Sequence, residues 1–238
     1  MRSTGIDTLS PEHVARIKAI GCNAIEFSCN NVERLDGLAT IQGSDVEGFK
    51  YVALHAPALK FVYRNDVLTK AVLNALQEAH RRLKFRCVVL HPDRVEDWEV
   101  LKKFELPYAI ENMDNRKEVG KTVEDMEAIF SEHDYPMVLD INHCFVNDQS
   151  LELAKKLYTR FQDRIIELQV SGYESMHDPL FRTQQWEILQ AVPNKKLPII
   201  IESQVTDENE LKQEYECVRD YFAKKSYEMG NTPARDRV

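Results

Sequence analysis

The feature that most constrains this chain is an alternation that runs along nearly its whole length. Short, apolar, β-rich runs exchange with stretches whose apolar residues recur at helical spacing. The strand candidates are 2–6, which is weak, then 24–27, 51–54, 87–90, 108–110, 137–139, 165–170 and 198–201. Helices are expected between them. Ser10 followed by Pro11 reads as an N-cap and first helical residue, and Gly21 closes that helix. Further helices are expected from residue 32, over 66–83, 95–104, 122–133, 150–161 and 183–191, and over 208–225. Strands separated by helices pair in parallel through right-handed crossovers. Eight such units close a barrel. The expected fold class is therefore α/β, a single (β/α)8 TIM barrel over 1–225, followed by a loose, polar C-terminal tail over 226–238. The alternative, an open doubly wound sheet, normally begins on a Gly-rich turn. This chain has 8 Gly and no G-x-G-x-x-G.

Composition narrows the partners. The formal net charge is −8, which gives no general attraction to nucleic acid or anionic membrane. The longest apolar runs, such as 197–201, have strand length and fall far short of a membrane span. The N-terminal residues lack the basic-then-apolar pattern of a secretory signal. The five cysteines, Cys22, Cys29, Cys87, Cys144 and Cys217, form no C-x-x-C pair. An odd, unpatterned set reads as reduced thiols packed in the core of a cytoplasmic protein.

Ligand-type residues gather where the strands end. The runs close on Leu54-His55-Ala56-Pro57, Leu90-His91-Pro92-Asp93, Ile110-Glu111-Asn112, Leu139-Asp140-Ile141-Asn142-His143, Gln169-Val170-Ser171 and Ile201-Glu202-Ser203. In a barrel these ends share one rim, so residues distant in sequence converge. Imidazole nitrogens and carboxylate oxygens bind Zn²⁺ or Mn²⁺. Taken singly, each residue has a plainer reading: a loop histidine, a helix-start acid or, for Asp140, an N-cap. The joint pattern over six consecutive strands favours a shared divalent-metal site.

Other residues carry weaker signals. His13, His80 and His133 lie on expected helices and are read as solvent-facing. Glu26 either lines the pocket or forms an ion pair. His177, in the loop after the seventh expected strand, is a candidate for the mouth. Arg182 and Lys60 are candidate anion binders. Trp186 is read as a packing residue.

Together these strand-end motifs resemble the xylose isomerase-like TIM barrel superfamily, which includes sugar isomerases and epimerases, inosose dehydratases and the endonuclease IV apurinic endonucleases. The resemblance covers nearly the whole chain. It implies one metal held by Glu111, Asp140, Gln169 and Glu202, with Gln169 standing where histidine is usual. It implies a second metal on His55 and His91, bridged by Glu111, as in endonuclease IV. A third endonuclease IV metal would use His143 with an Asp-x-His that this chain lacks, His177-Asp178 being a rough substitute.

Three functions follow as expectations. The first is a Mn²⁺-, Zn²⁺- or Mg²⁺-dependent isomerase or epimerase of a sugar or polyol. There Glu111 and Glu202 move the proton, His143 binds a substrate oxygen, and Asn112, Asn142 and His177 contact the substrate. The second is an endonuclease IV-type phosphodiesterase. The third is a non-catalytic barrel with a degenerate site. The expected partner is a small polar molecule rather than nucleic acid.

Overall fold

The computed structural model describes residues 9–230, so the expected strand at 2–6 and the residues 231–238 lie outside the described part. The other seven expected strands all form: β1 Ala24–Ser28, β2 Tyr51–His55, β3 Cys87–Leu90, β4 Tyr108–Glu111, β5 Met137–Asp140, β6 Ile165–Val170 and β7 Ile199–Ile201. β1, β2, β4 and β5 each run one residue past the apolar pattern, ending on Ser28, His55, Glu111 and Asp140. The backbone ladder thus extends into the polar residues and holds them rigidly.

The strands form one parallel sheet in the order β1-β2-β3-β4-β5-β6-β7, and β7 comes back against β1. The architecture is a TIM-type barrel with seven strands among the described residues, against the eight expected. Two separate apolar cores follow from this closure. Inside the barrel the space is narrow, and Ala53, Cys87, Val89, Ala109 and Val138 fill it with small side chains. Outside, larger residues such as Ile25, Phe27, Leu54, Leu73, Leu90 and Leu168 pack between strands and helices. Burial of this second layer is the main apolar driving force for closure.

Local chemistry starts and stops the helices as the sequence implies. Ser10 accepts from the His13 amide at 3.2 Å, opening Pro11–Ala19. Asp66 accepts from the Thr69 amide at 2.7 Å, opening Val67–Leu83, which ends on Lys84 in the left-handed region. Thr122 and Asp125 form a capping box for Val123–Glu132. The expected helix over 183–191 is broken into Leu180–Thr183 and Trp186–Gln190 because Gln184 takes φ +53°. The last helix, Glu208–Gly230, continues past the expected end at 225. No described helix is long and apolar enough to cross a membrane.

Burial corrects several expectations. His13 is buried rather than solvent-facing, and His80 and His133 are half-buried, the latter stacked 4.1 Å from the Trp98 ring. Trp186 keeps 38 % of its surface exposed, lying flat against Tyr221. Arg182 is paired with Glu210. Cys22, Cys29, Cys87 and Cys144 are buried free thiols, as expected.

One buried acid ties the last helix to the rim. Glu214 accepts the amides of Leu180 at 2.9 Å and Phe181 at 3.0 Å, and the Ser203 hydroxyl at 2.5 Å. Ser203 follows Glu202, so this acid braces a rim residue. Glu214→Ala leaves buried donors unpaired, which costs about 1–3 kcal/mol each. Its urea midpoint should fall with an unchanged m-value; an unshifted midpoint would mean these donors find other partners.

Candidate metal centre

The rim is built from strand ends. His55 ends β2, His91 follows β3 and Glu111 ends β4. His55 Nδ1 lies 3.0 Å from the Ala56 carbonyl, an acceptor only, so Nδ1 carries the proton and Nε2 keeps its lone pair. That Nε2 is 2.9 Å from His91 Nε2. Both nitrogens face Glu111 Oε2, at 3.3 Å and 3.1 Å. Two imidazole nitrogens and a carboxylate oxygen directed at one another form a donor triangle for a divalent cation, and a backbone bond fixing the tautomer is the usual support for such a histidine.

Glu111 turns its other oxygen to a second group. Oε1 is 3.2 Å from His143 Nδ1, which donates to the Asn112 carbonyl at 2.8 Å. Asp140 divides its oxygens. Oδ1 accepts from the His143 amide at 3.0 Å and caps a short helix, Ile141–Asn147, while Oδ2 lies 3.6 Å from His143 Nδ1. The plain reading of Asp140 as an N-cap therefore holds, and it leaves the second oxygen facing the rim. Donor atoms of Glu111, Asp140 and Glu202 lie within 4.8 Å of one another, as do those of Asp140, His143 and His177. His177 reaches the mouth, with Nδ1 3.0 Å from the Ser171 hydroxyl and Nε2 3.9 Å from Glu202 Oε1.

Charge is tightly organised here. Burial by itself raises the Glu111 carboxyl, yet the imidazoles of His91, His55 and His143 hold it well below the usual carboxylate range. Burial pushes Asp140 up to about 6; His143 opposes this and Glu111 adds to it. Burial disfavours the His143 imidazolium, but Asp140, Glu111 and Asp114 raise it above the ordinary histidine value.

The donor set fits a cation. Both Glu111 oxygens, Asp140 Oδ2 and Gln169 Oε1 are buried and lack a hydrogen bond among the described residues. Native interiors rarely leave buried acceptors unpaired. The Glu111 oxygens lie 3.1, 3.2 and 3.3 Å from imidazole nitrogens, as ion pairs rather than aligned hydrogen bonds.

Two expected substrate contacts, Asn112 and Asn142, make hydrogen bonds to neighbouring backbone. Asn112 donates to the Asp140 carbonyl at 3.0 Å and accepts its amide at 2.8 Å. Asn142 donates to the Ser171 and Gly172 carbonyls at 3.3 and 2.7 Å. Both are buried and act as staples between neighbouring strand ends. Conversely, sequence reasoning passed over Asp114 and Arg116, which pair closely beside His143. The only signal was their place in the polar run that continues from Glu111-Asn112.

A cavity of about 550 Å³ opens above the donors, walled by His55, His91, His143, His177 and Glu202 and edged by Leu59 and Met176. A larger cavity of about 790 Å³ lies at the opposite end of the barrel, between Lys50, Val52, Phe85 and Arg86, away from these donors. The convergence of the metal-type donors, rather than volume, picks out the first.

The chain thus has a TIM-barrel fold with a His-, Asp- and Glu-lined C-terminal rim. Solved structures agree. Endonuclease IV from Thermus thermophilus superposes with a TM-score of 0.66 at 14 % identity, covering 94 % of this chain and 97 % of that one. The 3-keto-D-glucoside 4-epimerase from E. coli gives 0.60 at 10 % identity, over 92 % and 97 %. A xylose isomerase domain-containing protein from Salmonella typhimurium gives 0.59 at 14 %, over 90 % and 93 %. No protein-family model matches the chain, and no curated protein matches it by sequence.

Proposed function

We propose that this chain is a divalent-metal-dependent enzyme with a bridged pair of cation sites, acting on a small anionic substrate, and that hydrolysis of a phosphate ester is the reaction its geometry supports best. The observation that carries this reading is Glu111, which belongs both to the His55–His91 donor group and to the Asp140–Glu202 group and turns its two oxygens to different neighbours. Held ionised and buried, Glu111 suits bridging rather than the proton transfer first expected of it, since an acid–base catalyst works best with a pKa near the working pH. His55 and His91 would hold one cation, and Asp140, Glu202 and Gln169 the other. Bound there, such cations supply Lewis acidity to the oxygens of a phosphoryl group.

The chain's own residues do the rest. His143 commits Nδ1 to a backbone carbonyl, so Nε2, 3.8 Å from Asp114, is the nitrogen that would bind a substrate oxygen. Arg34, Arg94, Arg116 and Lys117 border the cavity. Asp93 pairs with Arg94 and Lys117, Asp114 pairs with Arg116, and Glu202 also lines the cavity, so the mouth carries four cations against three carboxylates despite the acidic total. That excess suits an anionic group. A cavity of about 550 Å³ suits a sugar phosphate rather than a duplex.

A second reading, proton-transfer isomerisation or epimerisation of a sugar, draws on the close Glu111–Asp140–Glu202 set and on the fold shared with the epimerase. The two readings separate in one experiment. The metal-loaded chain is offered sugar phosphates, p-nitrophenyl phosphate, an abasic oligonucleotide and ketoses in deuterated water. Release of phosphate from the small esters, lost in His91→Ala, is expected. Deuterium exchange into a ketose with no hydrolysis anywhere in the panel would replace the first reading by the second.

A further inference from the structure

Beneath the rim the barrel holds an acid pair that the proposed chemistry does not use. Glu26 on β1 and Glu167 on β6 are 3 % and 0 % exposed. Both accept from one side chain: Gln169 Nε2 lies 3.2 Å from Glu26 Oε2 and 3.3 Å from Glu167 Oε1. Glu167 precedes Gln169 by two residues on a strand, so it shares the interior face and lies one pleat deeper in the barrel. A carboxamide is planar, with its NH₂ and its oxygen on separate arms. With the nitrogen arm drawn toward two carboxyl groups, the oxygen arm turns away from them. That oxygen is buried and lacks a hydrogen bond among the described residues. Gln169 is also the register partner of Asp140 on one side, and on the other its strand pairs with β7, which leads into Glu202. The reversed amide would set a carbonyl oxygen against the acid pair and give up the NH₂ that reaches both acids at once.

We propose that Glu26 and Glu167 are positioning residues that fix Gln169 as an oxygen donor, so that the two adjacent sites hold unlike divalent cations. The Glu111–Asp140–Gln169–Glu202 set is then all oxygen, which suits Mn²⁺ or Mg²⁺. The neighbouring His55–His91–Glu111 set is nitrogen-rich, which suits Zn²⁺. This inference rests on the metal-site reading above, and its test keeps the two apart.

The full chain, stripped of metal, is loaded with one equivalent of Zn²⁺ and excess Mn²⁺. Bound metal is counted by elemental analysis and Mn²⁺ is followed by electron paramagnetic resonance. The wild type should retain both metals. Gln169→His should turn the second site toward Zn²⁺. Glu26→Gln and Glu167→Gln should each weaken Mn²⁺ by about 10–100-fold, the usual cost of losing an outer partner of a ligand, while Zn²⁺ affinity stays unchanged. A merely structural role would weaken both metals together. If one acid variant fails to fold, the other decides. Mn²⁺ affinity unchanged in the folded acid variants, or weakened in step with Zn²⁺, overturns the proposal. A wild type that binds neither cation refutes the metal site itself.

Discussion

Glu111→Gln should empty both cation sites at once, whereas His91→Ala should remove only the Zn²⁺-type site. The asymmetry follows from the carboxylate's two faces. Oε2 is 3.1 Å from His91 Nε2, Oε1 is 3.2 Å from His143 Nδ1, and a Glu111 oxygen also lies within 4.8 Å of donor atoms of Asp140 and Glu202. Glutamine keeps the shape but brings an NH₂ to one face and removes the charge from both. The loss in affinity should exceed the ~10–100-fold that an outer partner is worth. Activity should fall with metal content, while circular dichroism of the variant stays that of the wild type. Wild-type stoichiometry in Glu111→Gln would show that the two sets are not bridged.

The second large effect concerns pH. Burial raises Asp140 to about 6, whereas an unfolded aspartate titrates near ~3.9. A carboxyl raised in the folded state contributes stability that is full below the unfolded value and is lost as pH rises through the folded one. The metal-free chain should therefore lose thermal stability from this group between about pH 4 and 7. Cation binding has the opposite slope, because the ligand must be the carboxylate. The rise in melting temperature on adding Mn²⁺ should accordingly grow as pH climbs through about 6 and then level off. Glu111, held well below the usual range by the imidazoles around it, adds an opposing, rising slope only up to about pH 5.5, where an unfolded glutamate (~4.3) finishes ionising, and none above it. A Mn²⁺ thermal shift that stays flat from pH 5 to 7, within ~1 unit either side of the Asp140 value, would remove Asp140 from the ligand set.

The sequence by itself determined the barrel and most of its rim. Strand and helix periods are local, so β1 to β7 could be placed almost to the residue, and their polar ends marked the face on which His55, His91, Glu111, Asp140 and Glu202 meet. The Ser10 cap was equally legible, as were the helix starts near Asp66 and Thr122, because each cap acts within three residues of itself. Tertiary structure alone decided which atoms face which. Asn112 and Asn142 have the chemistry of substrate contacts, and only the fold shows that both hydrogen-bond neighbouring backbone, as buried amides do with whatever lies nearest. Gln169 and Glu26 are 143 positions apart, and no local pattern couples them. Barrel closure brings them within hydrogen-bond reach, because β7 returns against β1 and carries β6 toward the start of the chain.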